Sequence, residues 1–302
     1  MKLVQHSRVS IARREAREGR LFIAPWLIGF LVFTAGPMLA SLYFSFTQYT
    51  VINPPKWIGL ANYIKMFTGD PLLIKSLWNT AYFVAFSVPF NLIIAFFMAM
   101  LLQRKVHGIN IFRTLYYLPV LTPAIASALT WSIIFSSDFG ILNAVLSLLH
   151  LPPVAWLFDP QITKLVFVVM GFWTTGGTAI IFLAGLQNVP ESLYDAANID
   201  GANGFQRFCY ITIPMMTPII FFNLVLGIVA SFQIFTPAYV ITNGGPANST
   251  LFYVLDLYNN GFRYLKMGYA SAMAWLLFFI IIIFTFIQFR LARNWVFYET
   301  SL

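Results

Sequence analysis

The sequence predicts an all-α, polytopic membrane protein with six transmembrane helices. Of its 302 residues, 59% are hydrophobic and only 9% are charged, and the mean hydropathy is +0.77. Soluble domains carry about 25% charged residues, so this composition excludes a soluble globular domain. Six stretches without Asp, Glu, Lys or Arg are long enough to cross a bilayer, which takes about 20 residues of helix. They lie near residues 22–47, 77–102, 114–135, 165–187, 215–241 and 270–289.

The segment before the first span, residues 1–21, is basic. It contains Lys2, Arg8, Arg13, Arg14, Arg17 and Arg20. The apolar run that follows is longer than the roughly 7–15 residues of a signal-peptide core, and no small-residue cleavage site ends it. We therefore expect a retained first helix. The basic segment itself is compatible with a helix lying on the anionic inner leaflet or with a disordered, charged tail.

The distribution of positive charge predicts the orientation. If the N-terminus is cytoplasmic, the cytoplasmic segments hold 12 of the 18 Lys and Arg residues, Lys105 among them. Positive residues favour the cytoplasmic side of a membrane protein. We therefore expect both termini in the cytoplasm, together with the polar stretch 190–214. The predicted organisation is a basic segment 1–21, one transmembrane domain 22–292 and a cytoplasmic tail 293–302.

Several function classes are disfavoured by what the sequence lacks. Ion-driven carriers usually hold ionisable residues inside their spans, and these six stretches contain no charged residue or histidine. The three histidines are too scattered to predict a metal site, no Gly-x-x-x-x-Gly-Lys-Ser/Thr loop occurs, and no nucleophile–base pair is visible. The single cysteine, Cys209, allows no internal disulfide. We expect a transport protein, not an enzyme, with no cofactor or metal of its own, that draws free energy from another chain.

The stretch 190–214 has the pattern of a polar helix between two spans. Pro190 suits the first turn of a helix, and Glu191 complements the helix dipole. An apolar strip follows at three- and four-residue spacing, formed by Leu193, Ala196 and Ala197. The two alanines keep this strip slim enough to enter a groove on a partner protein. Gly201 predicts the end of the helix, because glycine readily adopts the left-handed conformation of a C-cap.

The second half of this stretch is more apolar. We expect Phe205, Phe208, Ile211 and Ile213 to anchor it to the membrane surface, and Pro214 to open the next span. An ordinary interfacial helix that joins two spans has the same amphipathic pattern. The spacing of residues over the whole stretch decides against that alternative.

That spacing resembles the cytoplasmic signature of ABC importer permeases. Asp195-Ala196-Ala197 is followed after three residues by Gly201, and after nine more by Ile-x-Ile-Pro ending at Pro214. The family signature is Glu-Ala-Ala, three residues, Gly, nine residues, Ile-x-Leu-Pro, so Asp stands for Glu and Ile for Leu. Residues 112–119, 183–190, 242–246 and 268–272 also resemble segments of carbohydrate permeases of the maltose type. The resemblance covers the chain from about residue 22 to 292.

The resemblance implies a type I ABC importer core with a cytoplasmic coupling helix. It further implies a heterodimer with a second permease, two copies of a cytoplasmic ATPase that binds ATP and Mg²⁺, and an extracytoplasmic solute-binding protein. The location would be a bacterial or archaeal cytoplasmic membrane. The residues expected to couple the permease to its ATPase are Glu191, Leu193, Tyr194, Asp195, Ala196, Ala197, Asp200, Gly201, Ala202 and Pro214.

Neutral polar residues and aromatic rings cluster inside the fourth and fifth spans, as an uncharged polar substrate would need. Close helix packing is the alternative explanation, since small and hydroxyl residues also favour tight helix contacts. By alignment with the maltose-type permeases, together with the polar pattern, the expected substrate pathway comprises Met170, Trp173, Thr174, Gly177, Gly227, Ala230, Ser231 and Gln233.

The predicted function is therefore that of a permease subunit for a sugar, oligosaccharide or polyol. It forms half of the pore and couples to a separate ATPase through residues 190–214. One alternative is an ABC permease for another solute such as glycerol phosphate, although an anion would need a basic pore residue and none is visible in this chain. The other is a secondary carrier that works without an ATPase.

Overall fold

The computed structural model describes the backbone of residues 2–104 and 106–297, and the side chains of residues 15, 17–104 and 106–297. Lys105, which entered the charge count, and residues 298–302 of the predicted tail lie outside the described residues. So do the side chains of four basic residues of the N-terminal segment, which are Lys2, Arg8, Arg13 and Arg14.

The described chain is predominantly helical. In order, its α-helices are α1 (Lys2–Phe30), α2 (Gly36–Ser45), α3 (Ala61–Thr68), α4 (Pro71–Gln103), α5 (Ile109–Tyr117), α6 (Ala124–Ile134), α7 (Ile141–Leu148), α8 (Thr163–Met170), α9 (Gly176–Gln187), α10 (Glu191–Ile199), α11 (Gly204–Arg207), α12 (Ile213–Phe232), α13 (Tyr253–Tyr258) and α14 (Met267–Ala292). Short 3₁₀ helices span Leu118–Leu121 and Gly171–Thr174, and π-helical turns span Leu31–Ala35, Phe208–Thr212, Ala238–Thr242 and Asn259–Arg263. One antiparallel hairpin pairs β1 (Thr47–Thr50) with β2 (Asn53–Trp57).

Six candidate membrane spans follow from these helices. Within the described residues, four continuous helices are long and apolar enough to cross a bilayer: Arg17–Ser45, Pro71–Gln103, Gly204–Phe232 and Met267–Ala292. Two further spans are bent pairs. Ile109–Leu121 meets Ala124–Ile134 at 99°, and Thr163–Thr174 meets Gly176–Gln187 at 49°. Counted as one span each, the two bent pairs bring the described chain to the six predicted spans, the third and fourth as broken helices.

The structure corrects the bounds of the fifth span and decides between the two alternatives for the N-terminal segment. The helix that carries the fifth span runs from Gly204 to Phe232, so the predicted end at residue 241 is wrong and the helix starts before the predicted residue 215. Pro214 lies in the first turn of α12. Gln233 (φ −103°, ψ 18°) terminates the helix, and Pro237 begins a separate π-helical turn. The basic segment is helical and runs directly into the first span, which decides against a disordered tail for its described backbone.

The bend in the third span has a local cause. Thr122 is extended (φ −74°, ψ 129°) and precedes Pro123, which begins the next helix. A residue before proline is pushed out of the α-helical region by the proline ring. The helix that starts at Ile109 must therefore stop before Pro123, and the chain leaves in a new direction.

The chain packs as two units, residues 1–68 with 260–276 and residues 69–259 with 277–302. In the first unit, the hairpin is fixed to the neighbouring helices. Asn62 Nδ2 donates to the carbonyls of Ser45 and Thr47, each at 2.9 Å. Trp275 Nε1 donates to Ser41 Oγ at 3.1 Å. These bonds satisfy the backbone at the end of the first span.

The second unit is organised around α4. Asp70 caps this helix by accepting bonds from the N–H groups of Leu72 and Leu73, a common N-cap interaction. The helix packs against α8, α9, α12 and α13. Its C-terminal half contributes Ala95, Phe96, Ala99 and Leu102 to a hydrophobic core. The other members of this core are Ala179, Phe182, Leu183, Leu186 and Met216. This core holds α4, α9 and α12 together, and those three helices border both the stretch 190–214 and the neighbouring cavity.

Candidate coupling segment and translocation cavity

Residues 190–214, the predicted coupling segment, contain an exposed two-turn helix. Pro190 is the N-cap residue of α10 (φ −59°, ψ 127°), and Glu191 occupies the first turn, where it complements the helix dipole. Leu193 is 39% exposed, and Ala196 is exposed beside it. An apolar strip this accessible on a membrane protein is available to a partner protein.

Gly201 ends this helix in the left-handed conformation, with φ +75°. The N–H of Gly201 donates to the carbonyl of Asn198 at 3.2 Å, and that of Ala202 donates to the carbonyl of Ala197 at 2.9 Å. These two bonds form a Schellman motif, which satisfies carbonyls that the helix leaves without a donor. The chain reverses here because glycine adopts positive φ without steric cost.

Side-chain bonds hold the two halves of the coupling segment together. The hydroxyls of Tyr194 and Thr212 are 2.9 Å apart. Arg207 donates to the amide oxygen of Asn198. These two bonds fix α10 to the second half of the segment, so the two halves are held together as one unit.

The return half begins at a second cap. Asn203 and Gln206 form a capping box, each side chain bonding the other residue's backbone N–H at 2.8–2.9 Å. Of the expected anchors, Phe208 packs against Phe96 and Phe97, with centroids 6.1 and 6.5 Å apart. Phe205, by contrast, is exposed.

The remaining coupling candidates are distributed over this frame. Asp195 and Asp200 are exposed, Tyr194 and Ala197 are half-buried, and Pro214 is half-buried inside the fifth span. Gly201 thus ends α10 as predicted, and Pro214 lies in the first turn of α12.

A cavity of about 320 Å³ lies between α4, the broken fourth span and α12. Its polar lining consists of Ser87, Asn91, Thr174, Thr175, Thr178, Asn223 and Ser231, and its apolar lining includes Phe83, Val88, Leu92 and Ile234. None of these described lining residues is charged. Such a lining can hydrogen-bond and pack against a neutral polar molecule, while it offers no counter-ion to an anion or cation.

Close backbone approach shapes one wall of this cavity. A Cβ atom added to Gly171 would lie 3.1 Å from Asn91 Nδ2 and 3.4 Å from Ser87 Oγ. Asn91 in turn donates to the carbonyl of Ser87 at 2.8 Å and to its hydroxyl at 3.1 Å. The amide of Asn91 is thereby fixed between its own helix and the break in the fourth span.

A second cavity of about 210 Å³ adjoins the first, since Phe83, Gly171, Thr174 and Ile234 line both. Its other walls include Ser127, Trp131, Met170 and Pro237. The two cavities share a wall in the second unit, and the first is lined by more polar residues while the second is lined by more aromatic ones.

The predicted pathway residues divide between these cavities and other places. Thr174, Gly227, Ala230 and Ser231 line the first cavity, and Met170 and Thr174 line the second. Trp173 lies outside both and contacts Trp131 edge-to-face at 5.9 Å. Gly177 also lies outside both, and Gln233 is exposed, with its amide bonded to the carbonyl of Val229 at 3.2 Å.

Ser87 and Asn91 are two polar residues of the first cavity's lining that sequence reasoning overlooked. They come from the second span, which the maltose-type alignment did not bring into the pathway. The signal was available, because Asn91 is an amide in the middle of a long apolar stretch. Within the described residues, no group of three His, Cys, Asp or Glu side chains could hold a metal ion.

Comparison with known proteins identifies the family. Residues 91–296 match the family model described as "Binding-protein-dependent transport system inner membrane component". This match covers about two thirds of the chain, including the coupling segment and most of the cavity lining. The chain belongs to this family. The permease is thus a membrane-embedded transport subunit of an ABC importer, and the prediction that it is not an enzyme is confirmed.

Individual relatives match the sequence of the permease over nearly its whole length. It is 44% identical over 293 residues to the probable ABC transporter permease protein YesP of Bacillus subtilis, covering 96% of this chain and 94% of that protein. It is 34% identical over 296 residues to the lactose transport system permease protein LacF of Rhizobium radiobacter, covering 95% and 98%.

A solved structure shares the fold of the permease. A chain of the bacterial alginate ABC transporter, crystallised with an alginate pentasaccharide-bound periplasmic protein, superimposes with a TM-score of 0.82 at 22% identity. The match covers 94% of this chain and 96% of that one. This likeness confirms the predicted six-span permease core of a type I importer.

Proposed function

We propose that this permease carries a neutral sugar, in particular a di- or oligosaccharide, through the path formed by its two cavities. The observation that carries the proposal is the lining of the first cavity, in which amides and hydroxyls face the space and no charged residue does. Sugars present many hydroxyl groups and apolar ring faces, which match such a lining. The lactose permease among the relatives is consistent with this substrate class.

We further propose that residues 190–214 dock on the ATPase. The exposed strip on α10, the Schellman turn at Gly201 and the braces to α11 and the π-helical turn support this role. A rigid helix with a slim apolar face suits insertion into a groove. ATP and Mg²⁺ would bind to that separate ATPase, and the family description implies an extracytoplasmic binding protein.

The orientation follows from the same assignment. If residues 190–214 meet a cytoplasmic ATPase, both termini lie in the cytoplasm, as the charge distribution favours. A second permease subunit would complete the pore, because this chain supplies one set of six spans. Cysteine accessibility from each side of sealed vesicles would test the orientation independently of transport.

Uptake by the reconstituted importer tests the substrate class. The permease would be co-expressed with a second permease, an ATPase and a binding protein of the same importer, and placed in proteoliposomes. We expect ATP-dependent uptake of a neutral oligosaccharide and little uptake of an oligouronate or of glycerol phosphate. Preferential uptake of either anion would contradict the proposal, as would uptake without the ATPase.

The Asn91→Leu variant tests whether the cavity is the pathway. Loss of a hydrogen-bonding group from a site built for hydroxyls weakens discrimination by about tenfold or more, so we expect a rise of that order in the KM for uptake. Asn110→Leu, which changes an exposed asparagine outside the cavity, is the matched control. An unchanged KM in Asn91→Leu would place the pathway elsewhere.

A further inference from the structure

The residues that follow the last span pack onto the start of α12. The backbone N–H of Phe297 donates to Thr217 Oγ1 at 2.9 Å. The ring of Trp295 lies edge-on to Phe221, with centroids 6.1 Å apart, and Phe289 of α14 contacts the same ring at 5.1 Å. The chain after α14 is therefore attached to α12 by a hydrogen bond and by ring contacts.

Thr217 links this attachment to the last residue of the coupling segment. Pro218 has no N–H, so the carbonyl of Pro214, four residues earlier, lacks its helical donor. Thr217 Oγ1 donates to that carbonyl at 2.6 Å. A hydroxyl has one proton to give and lone pairs to accept with. One side chain thus bonds Pro214 and Phe297 at the same time.

Phe297 also faces the entry to the coupling segment. It lines a cavity of about 230 Å³ whose other walls are Gly185, Asn188, Val189, Met215, Pro218 and Ile219. Asn188 and Val189 immediately precede Pro190, and Met215 immediately follows Pro214. Phe297 therefore shares a cavity with residues that flank both ends of the coupling segment.

We propose that residues 295–297, through Thr217, are a positioning element for coupling, which holds the two ends of the coupling segment in register with α12. This inference rests on the proposed role of residues 190–214 at the ATPase. Without the element, α10 can still bind the ATPase, but its displacement is passed less completely to α12. ATP hydrolysis then continues while less solute is moved for each ATP.

The matched pair Thr217→Val and Thr217→Ser tests this inference. Valine keeps the shape of threonine but removes both hydrogen bonds, whereas serine keeps the hydroxyl. Uptake and ATP hydrolysis would be measured in the same proteoliposomes, with the full importer and its neutral oligosaccharide. Residues that modulate coupling between sites change it by a few-fold to tens of fold, so we expect roughly three- to tenfold less solute per ATP in Thr217→Val. We expect Thr217→Ser to retain the ratio.

The double variant Trp295→Ala/Phe297→Ala gives a second measurement that leaves α12 unchanged. We expect the same fall in solute per ATP. Phe286→Ala, which removes an exposed ring from α14, is its control. Recovery of the assembled complex in size-exclusion chromatography shows whether each variant folds and binds its partners.

Ala196→Asp in the same preparation separates the two proposals. If Ala196→Asp uncouples hydrolysis from uptake but Thr217→Val and the double variant behave as wild type, the positioning role is wrong and the docking role stands. If none of the three alters the ratio, both are wrong. A parallel loss of uptake and hydrolysis in Thr217→Val would show a structural role only, and would also overturn the inference.

Discussion

The hydroxyls of Tyr116 and Thr175, 59 residues apart in the chain, lie 2.6 Å from each other. Thr175 Oγ1 also donates to the carbonyl of Phe172 at 2.7 Å, so Tyr116 is the donor in the bond between the two hydroxyls. Tyr116 lies just before the bend in the third span, and Thr175 lies at the bend in the fourth. One hydrogen bond therefore ties together the breaks of two spans.

Tyr116→Phe is expected to loosen this connection. Loss of a partly buried hydrogen bond costs about 1 kcal/mol, and here Thr175 also loses a donor. We expect a lower midpoint in thermal unfolding of the purified permease in detergent. Tyr117→Phe, which removes the neighbouring hydroxyl, is the control, and equal midpoints for the two variants would contradict the prediction.

Gly176→Ala is expected to be more damaging than Tyr116→Phe. A Cβ atom at residue 176 would lie 2.4 Å from the carbonyl oxygen of Tyr116, which is backbone and cannot rotate away. Overpacking of this kind typically costs about 1–3 kcal/mol. At Gly177 the nearest atom to an added Cβ is a methyl of Val120 at 3.8 Å. Thermal stability should therefore separate Gly176→Ala from Gly177→Ala, and similar midpoints would argue against close contact between the two breaks.

The sequence contains most of the information for the spans and for the turn at Gly201. Hydropathy reports burial in lipid, and glycine at a C-cap has a local cause, so both can be read without tertiary contacts. The bends are partly local as well, since Pro123 restricts Thr122. The helical stretch 204–212 before α12 was not predicted, because its residues are polar or amphipathic and its helix depends on the capping box and on Phe208 packing against α4.

The candidate site was less accessible to sequence reasoning for a different reason. Ser87 and Asn91 become part of a cavity only because Gly171 lets the fourth span approach α4. The bond from Phe297 to Thr217 joins residues 80 positions apart. Neither pairing has a periodic signal, so neither can be inferred from spacing within one helix.

Gly201→Ala tests the geometry of the coupling segment. At φ +75° an added Cβ meets no neighbour within 4 Å, so the cost is conformational, about 1–2 kcal/mol for a left-handed residue. We expect the helix end to shift and uptake to fall more than ATP hydrolysis in the reconstituted importer. A bulkier residue at the same position should have a larger effect. Gly204→Ala, at a glycine without positive φ, should behave as wild type; equal loss in both would contradict the argument.

Asp256 predicts a pH dependence of stability. Burial raises the pKa of this carboxyl from 3.8 to about 6, the nearby charge of Asp70 adds to the rise, and a hydrogen bond from Ser76 opposes it. The folded protein thus favours the neutral form. Its contribution to stability is complete below about pH 4 and is lost as the pH rises through about 6.

Asp256→Asn should remove this dependence. Near pH 7.5 the free energy of unfolding of the variant is expected to exceed that of wild type by a value on the order of 2 kcal/mol. The variant should therefore unfold at a higher temperature. The difference should shrink towards zero below about pH 3, where the wild-type carboxyl is protonated in both states. Asp138→Asn, at an exposed aspartate, is the control. A destabilised Asp256→Asn at pH 7.5 would contradict the sign of the prediction.

Gly185 lets α9 and α12 pack in close contact. A Cβ there would lie 2.2 Å from Ile219 Cδ1 and 3.0 Å from Met216 Cε, so the two helices touch where a side chain would separate them. One of them enters the coupling segment and the other leaves it. Because they are packed together at this end, we expect the two helices to move as one rigid body, which would carry a displacement of α10 to the proposed sugar path.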